Sequence, residues 1–251
     1  MPCACSIHAG VSANQHIYFD KQFAGIPSPS KDDTLSAKNL KALSAFTDTL
    51  ILNRYLDEIK LFEKDDSLNP TRKTDIVFTG SSSIKKWNTL QNDMNGLSVL
   101  NRGFGGSTIP EVIYYSDRLI FKYKPKKIVF YAGENDIASQ KTDSLKVLNS
   151  FIYFEKLVKQ KLPDTRIYFI SIKLSPSRRE YWSTIKSTNT MIEKYCISVK
   201  NCSFIDVNRG MLDKKMHVRE DLFVDDMLHL NDKGYQIWTK IIWNAIKTRI
   251  N

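Results

Sequence analysis

The chain has 251 residues, of which 42% are hydrophobic and 11% aromatic. That is enough apolar material for a sizeable core, while no apolar run is long enough to cross a bilayer, so a soluble globular protein is expected and a transmembrane helix is not. Lysine and arginine total 37 against 27 acidic residues, a formal charge of +10, yet the basic residues form no dense block and no RNA-type aromatic motif, so a solvated basic surface is expected and nucleic acid is not an expected partner.

In chain order, residues 1–45 read as a weakly patterned N-terminal extension with a turn-rich passage at Ile26-Pro27-Ser28-Pro29-Ser30-Lys31. Cys3, Cys5 and His8 sit close together, but no complete zinc-ligand spacing is present and no metal or other cofactor is expected. Free thiols are the default for the four cysteines, with Cys196 and Cys202 near enough in sequence for a local disulfide. The start lacks the charged and apolar regions of an intact signal peptide, which makes a cytoplasmic location the default and leaves a secreted or periplasmic one open if a leader was removed.

Residues 46–74 read as a leading helix and linker. Leu50, Ile51, Tyr55, Ile59 and Phe62 recur at helical spacing between Phe46 and Glu63, and Asn69-Pro70 stops the run. From Asp75 to the C-terminus, residues 75–251, apolar strand candidates alternate with amphipathic helices. The strands are Ile76 to Thr79, Ser98 to Leu100, Lys127 to Ala132, Arg166 to Ile172 and Ser203 to Val207, several of them continuous apolar runs as a parallel sheet covered on both faces requires. Thr108-Ile109-Pro110-Glu111 has capping-box spacing, and Ile109, Val112, Ile113, Leu119 and Ile120 follow on one side. Further stripes run through Ile185, Met191, Ile192 and Tyr195, and through Tyr235, Trp238, Ile241, Ile242 and Ala245.

Such an alternation predicts an α/β fold with a five-stranded, doubly wound parallel sheet, in which sites form beyond the carboxyl ends of the strands. Ser82, Gly105-Gly106, Gly133-Glu134-Asn135-Asp136, Lys173-Leu174-Ser175 and Asp226-Met227-Leu228-His229 all fall on that edge. A serine hydroxyl needs a base in reach, itself oriented by a third group. Of the four histidines, His8 and His16 lie in the extension and His217 in a charged loop, whereas His229 follows Asp226 by three positions, with Asp225 as a competitor. The N–H groups of Ser82 and Gly106 and the Asn135 amide are the candidates for holding an oxyanion; taken singly, Gly103, Gly105 and Gly106 read first as turn glycines and Asn135 as a loop cap, and it is their joint placement that favours a site.

Gly80-Ser81-Ser82-Ser83-Ile84, Asn101-Arg102-Gly103-Phe104-Gly105-Gly106-Ser107-Thr108, Gly133-Glu134-Asn135-Asp136 and Asp226-Met227-Leu228-His229 resemble, in order, the four sequence blocks of the SGNH hydrolases, or GDSL-type esterases. The branch most similar is that of platelet-activating-factor acetylhydrolase-like esterases. The resemblance implies a flavodoxin-like three-layer α/β/α sandwich and metal-free ester hydrolysis, with Ser82 as nucleophile, His229 as base, Asp226 as its orienter, and Ser82, Gly106 and Asn135 in the oxyanion hole. Where the family commonly has aspartate before the nucleophile, this chain has Ser81, so no supporting role of that carboxylate carries over. Ser81 and Ser83 stay conceivable as nucleophiles, with Ser83 expected to face the helix cap.

The expected substrate is a small-molecule or carbohydrate ester, with short acyl groups leading, lysophospholipid as an alternative, and a non-catalytic anion- or glycan-binding module using Lys85-Lys86 as a second alternative. Trp87, Arg102, Tyr131, Lys173, Ser175, Met227 and Leu228 are candidates to line the pocket, with core packing or solvent exposure the competing reading for each.

Overall fold

The structure is a computed structural model and describes residues 54–247. Residues 1–45, with Cys3, Cys5, His8 and His16, and the first part of the expected leading helix lie outside the described residues.

Of the expected leading helix, the described residues show a turn at 54–55 and then α1 (Leu56–Leu68), so the helix begins after Tyr55 rather than running through it, continues past Glu63 and ends at Asn69, as its Asn-Pro stop predicts. Then follow β1 (Ile76–Gly80), α2 (Ser82–Lys85), α3 (Leu90–Asp93), β2 (Val99–Gly103), α4 (Ile109–Tyr114), α5 (Ser116–Leu119), β3 (Lys127–Tyr131), α6 (Glu134–Ala138), α7 (Ser144–Lys161), β4 (Arg166–Ile170), α8 (Trp182–Ser198), β5 (Cys202–Ile205) and α9 (Asp232–Ile246). The sheet has order β2-β1-β3-β4-β5 with every pair parallel. All five expected strands are present. The longest helix among the described residues, α7, lies between β3 and β4, where the sequence reading names none.

Side chains alternate across the strands, and each face of the sheet receives its own layer. Phe78, Val129, Tyr131, Tyr168 and Ile170 pack with Trp87, Tyr235, Trp238 and Ile242 on the α9 side. Phe130 and Phe169 meet Phe151 and Phe154 of α7 on the other, with ring centroids 4.5–6.0 Å apart. The capping box at Thr108 and Glu111 forms as the spacing predicts. Against the expectation of free thiols, Cys196 near the end of α8 is disulfide-bonded to Cys202 at the start of β5, because the tight turn between them brings their Cα atoms to 4.8 Å.

The chain runs from β1 outward to β2 and then returns to β3 on the other side of β1, so the order reverses between β1 and β3. Ser82 follows the first of these strands and Asn135 the second. A crevice opens at such a reversal, beyond the carboxyl ends of the strands.

Candidate active site

The end of β1 is shaped by one glycine. Gly80 has φ +127°, and a Cβ there would overlap the carbonyl group of Tyr131 on the neighbouring strand, so no side chain fits. The close approach lets the Ser81 N–H donate to the Tyr131 carbonyl at 2.9 Å, and the chain then turns directly into α2. Ser81 and Ser83 are buried while Ser82 is half-buried, so only the middle serine presents its hydroxyl to the crevice. Ser83 does not face the helix cap as expected. Its hydroxyl turns inward, 3.2 Å from Lys173 Nζ.

The opposite wall is a tight hairpin between α8 and α9 in the chain, closed by an antiparallel bridge from Phe223 to Leu230 and by the Val224 N–H donating to the His229 carbonyl at 2.9 Å. Asp226 Oδ1 accepts from the N–H groups of Leu228 and His229 at 2.9 and 2.8 Å. These bonds support a turn in which Met227 adopts φ +53°, a conformation uncommon for a residue with a side chain. The same carboxylate reaches the imidazole through Oδ2, 2.5 Å from His229 Nδ1, and His229 Nε2 lies 2.9 Å from Ser82 Oγ. Asp226, rather than Asp225, is the carboxylate that meets the ring. Burial pushes the Asp226 carboxyl up, but the hydrogen bond from His229 and the two backbone N–H groups outweigh it and hold the group at about 2. His217 lies apart, with an exposed ring 3.6 Å from Asp213.

Gly106 has φ +68° and Asn135 sits in the first turn of α6. Asn135 Nδ2 donates across the crevice to the Ser107 carbonyl at 3.1 Å, tying the loop after β3 to the loop after β2 and leaving the second amide hydrogen uncommitted by that bond. Among the described residues, neither the Ser82 nor the Gly106 N–H donates to a backbone acceptor. The glycine loop is braced from α1, whose Glu58 accepts from the Gly105 N–H at 3.2 Å and from Lys85 Nζ at 2.8 Å. Arg54 adds a bond to the Gly106 carbonyl at 3.3 Å and pairs with the buried Glu111 at 2.9 Å. None of these bracing residues is marked by the sequence motifs.

Packing claims most of the expected pocket-lining residues. Trp87, Arg102, Tyr131, Lys173 and Ser175 are all buried; Arg102 is paired with Asp65 and Asp66 of α1, and only Met227 is exposed, with Leu228 half-buried. A hollow of about 610 Å³ includes His229 and is walled in large part by Lys86, Asn88, Thr89, Asn231, Asp232 and Lys233. A second hollow of about 390 Å³, which includes Leu61, Trp87 and Asn101, lies against α1 and β2 and contains no member of the Ser82–His229–Asp226 chain. Among the described residues no three histidine, cysteine or acidic side chains come together as a metal-holding group, and no helix is long and apolar enough to cross a membrane.

Comparison with known proteins adds three findings. No curated protein matches the chain. Solved structures similar to it include a Streptococcus pneumoniae protein named for platelet activating factor, at 20% identity over 84% of this chain and 99% of that one with TM-score 0.67. A Bacteroides fragilis protein described as an acylhydrolase matches at 20% identity over 80% and 98% with TM-score 0.64, and an acetyl xylan esterase at 19% over 68% and 98% with TM-score 0.57. These likenesses show the fold. The sequence pattern of the GDSL-like lipase/acylhydrolase family matches residues 71–237, well over half of the chain and all four motif blocks, and the protein therefore belongs to that family.

Proposed function

We propose that this protein is a serine hydrolase of carboxylic esters, acting on short acyl groups through Ser82, His229 and Asp226. The observation that carries the reading is the unbroken hydrogen-bonded chain from Ser82 Oγ to His229 Nε2, at 2.9 Å, and from His229 Nδ1 to Asp226 Oδ2, at 2.5 Å. With Nδ1–H donated to the carboxylate, Nε2 offers its lone pair to the serine proton, the arrangement a neutral base requires.

In the reaction, Ser82 Oγ attacks the ester carbonyl carbon as its proton passes to His229 Nε2. The negative charge that forms on the carbonyl oxygen is met by the N–H groups of Ser82 and Gly106 and by the Asn135 amide. Collapse breaks the bond to the alcohol, which leaves with the proton from His229. Water then attacks the acyl-serine, His229 takes its proton and returns it to Ser82 Oγ, and the carboxylic acid departs. Asp226 stays ionised throughout and stabilises the imidazolium formed at each transfer.

Lys86, Asn88, Thr89, Asn231, Asp232 and Lys233 around the hollow beside His229 offer hydrogen-bonding groups to an alcohol portion rich in hydroxyl groups, such as a carbohydrate acetate, while Val224, Leu230 and Tyr235 add apolar surface to the same wall. The acetyl xylan esterase among the structural neighbours is compatible with that choice. Lysophospholipid is the second reading, favoured by Val224 and Met227, which expose apolar side chains on the hairpin that carries His229. An anion-binding module without turnover is less well supported, because Lys85 is already paired with Glu58. The test is release of chromophore from a nitrophenyl acetate by the purified chain, repeated with longer acyl chains and with Ser82→Ala. Loss of turnover in a folded Ser82→Ala protein, and rates that fall with acyl length, are expected; undiminished turnover in that variant would overturn the reading.

A further inference from the structure

Directly beneath the Ser82 turn lies a buried ion pair that the proposed chemistry does not use. Lys173 is 0% exposed and Glu134 4% exposed, and Lys173 Nζ lies 2.5 Å from Glu134 Oε2. The ammonium has three hydrogens and three acceptors: Glu134, the Tyr131 hydroxyl at 3.1 Å and the Ser83 hydroxyl at 3.2 Å. Glu134 is equally committed. Its Oε2 also accepts from the Tyr131 hydroxyl at 2.9 Å and its Oε1 from the Ser175 hydroxyl at 2.7 Å.

Burying such a pair gives little net stability, because desolvating both charges offsets their attraction; apolar replacements of the same volume are often as stable or more so. What the pair does supply is geometry. Ser83 adjoins Ser82 at the end of β1, Glu134 adjoins Asn135 at the end of β3, and Lys173 and Ser175 follow β4. One saturated polar cluster thus ties together three strand ends, two of which carry groups that must meet the same carbonyl.

We propose that Lys173 and Glu134 are positioning residues, which set the Ser82 turn and the Asn135 amide at the mutual spacing that ester hydrolysis demands. The proposal rests on the esterase reading. Neither residue reaches the crevice, so neither exchanges a proton with substrate. Their contribution is to the placement of the attacking oxygen and of the oxyanion donor.

The test uses the full chain with Lys173→Met, Glu134→Gln and the double variant, each followed by thermal unfolding and by kcat and KM on nitrophenyl acetate. Each single variant orphans a buried charge or weakens its partner and should lower the unfolding midpoint, whereas the double variant removes the charges together and should regain most of it. If the pair positions the site, kcat in the double variant stays about 100-fold below wild type with KM within about threefold, as expected for a small misplacement of reacting groups. Recovery of wild-type kcat along with the midpoint would reduce the pair to a structural role. Should these variants fail to fold, Ser83→Ala removes the side-chain bond from the cluster to the nucleophile turn while leaving the Lys173–Glu134 pair intact, and is expected to lower kcat about fivefold with only a modest fall in the midpoint from the ammonium hydrogen left without its acceptor; an unaltered kcat there also overturns the proposal. Hydrolysis that persists in Ser82→Ala sinks the esterase reading and this proposal with it, while hydrolysis abolished by Ser82→Ala but untouched in the double variant sinks this proposal alone.

Discussion

Asp136 holds the backbone of Ile109 from 27 positions away: its two carboxyl oxygens lie 3.1 and 3.2 Å from the Ile109 N–H at the start of α4. The carboxyl is buried, and that burial raises it from 3.8 to about 7, although the N–H groups of Ile109, Asp136 and Gly133 pull the other way and the charge of Glu111 adds to the rise. A carboxyl that binds its proton more tightly when folded stabilises the fold fully below its unfolded value of 3.8, and that contribution is lost as pH rises through about 7. The thermal midpoint should therefore fall between pH 5 and pH 8 by more in the wild type than in Asp136→Asn, which keeps an acceptor for Ile109 without a titrating group. Parallel curves for the two proteins would refute the assignment.

His229 and Asp226 should be the positions at which turnover is most sensitive to substitution after Ser82. Asp226 is held at about 2, so it remains an anion over any pH at which the enzyme would be assayed. His229→Ala is expected to lose about 10³-fold or more in kcat, and Asp226→Asn a comparable amount, because it disturbs both the tautomer and the charge that stabilises the imidazolium. Kinetics on folded variants check both, and His217→Ala serves as the neutral control.

Glu58 offers a way to disturb the glycine loop from outside the motif blocks. Its pair with Lys85 is partly exposed, with side chains 30% and 45% accessible, so Glu58→Gln should change stability by less than about 1 kcal/mol. Loosening Gly105 next to Gly106, the proposed oxyanion donor, should still lower kcat by about three- to tenfold, which corresponds to roughly 1 kcal/mol of transition-state stabilisation. An unchanged kcat would mean that the loop holds its position without α1.

Gly80→Ala should be among the most damaging single substitutions in the chain. The added methyl group meets the Tyr131 backbone, which cannot move without breaking the β1–β3 pairing, and a loss of more than about 3 kcal/mol is expected. A low thermal midpoint or an insoluble product would be the readout, whereas a well-folded variant would show that the strand ends can separate.

Much of the architecture was legible because it is written locally. The strands are short apolar runs, the start of α4 carries its own capping box, and the turn at Ser82 follows from a glycine at the end of an apolar strand. The Asp226–His229 contact was legible for the same reason, since three positions separate its partners. Helix α7 went unnamed although Val147, Leu148, Phe151 and Phe154 form its buried side; the same side buries the charged Glu155, which a hydrophobic pattern counts as exposed but which here accepts from the Tyr195 hydroxyl at 2.9 Å. Lys173 reads as a residue beyond the fourth strand and a candidate pocket wall, because its three acceptors lie 39, 42 and 90 positions away. No window along the chain contains them. The bracing by Arg54 and Glu58 was hidden in the same way, and the Cys196–Cys202 bond because spacing does not reveal how tightly a helix returns to a strand.

The Ser82–His229 contact joins positions 147 apart, which gives the protein a built-in order of assembly. A ribosome delivers the serine turn early and its base only after β5 and the hairpin have emerged, so on the proposed reading the growing chain carries an inert serine through most of its synthesis. In refolding, the return of turnover would time the last long-range closure rather than the appearance of secondary structure, and would lag a signal from helix formation by whatever that closure takes.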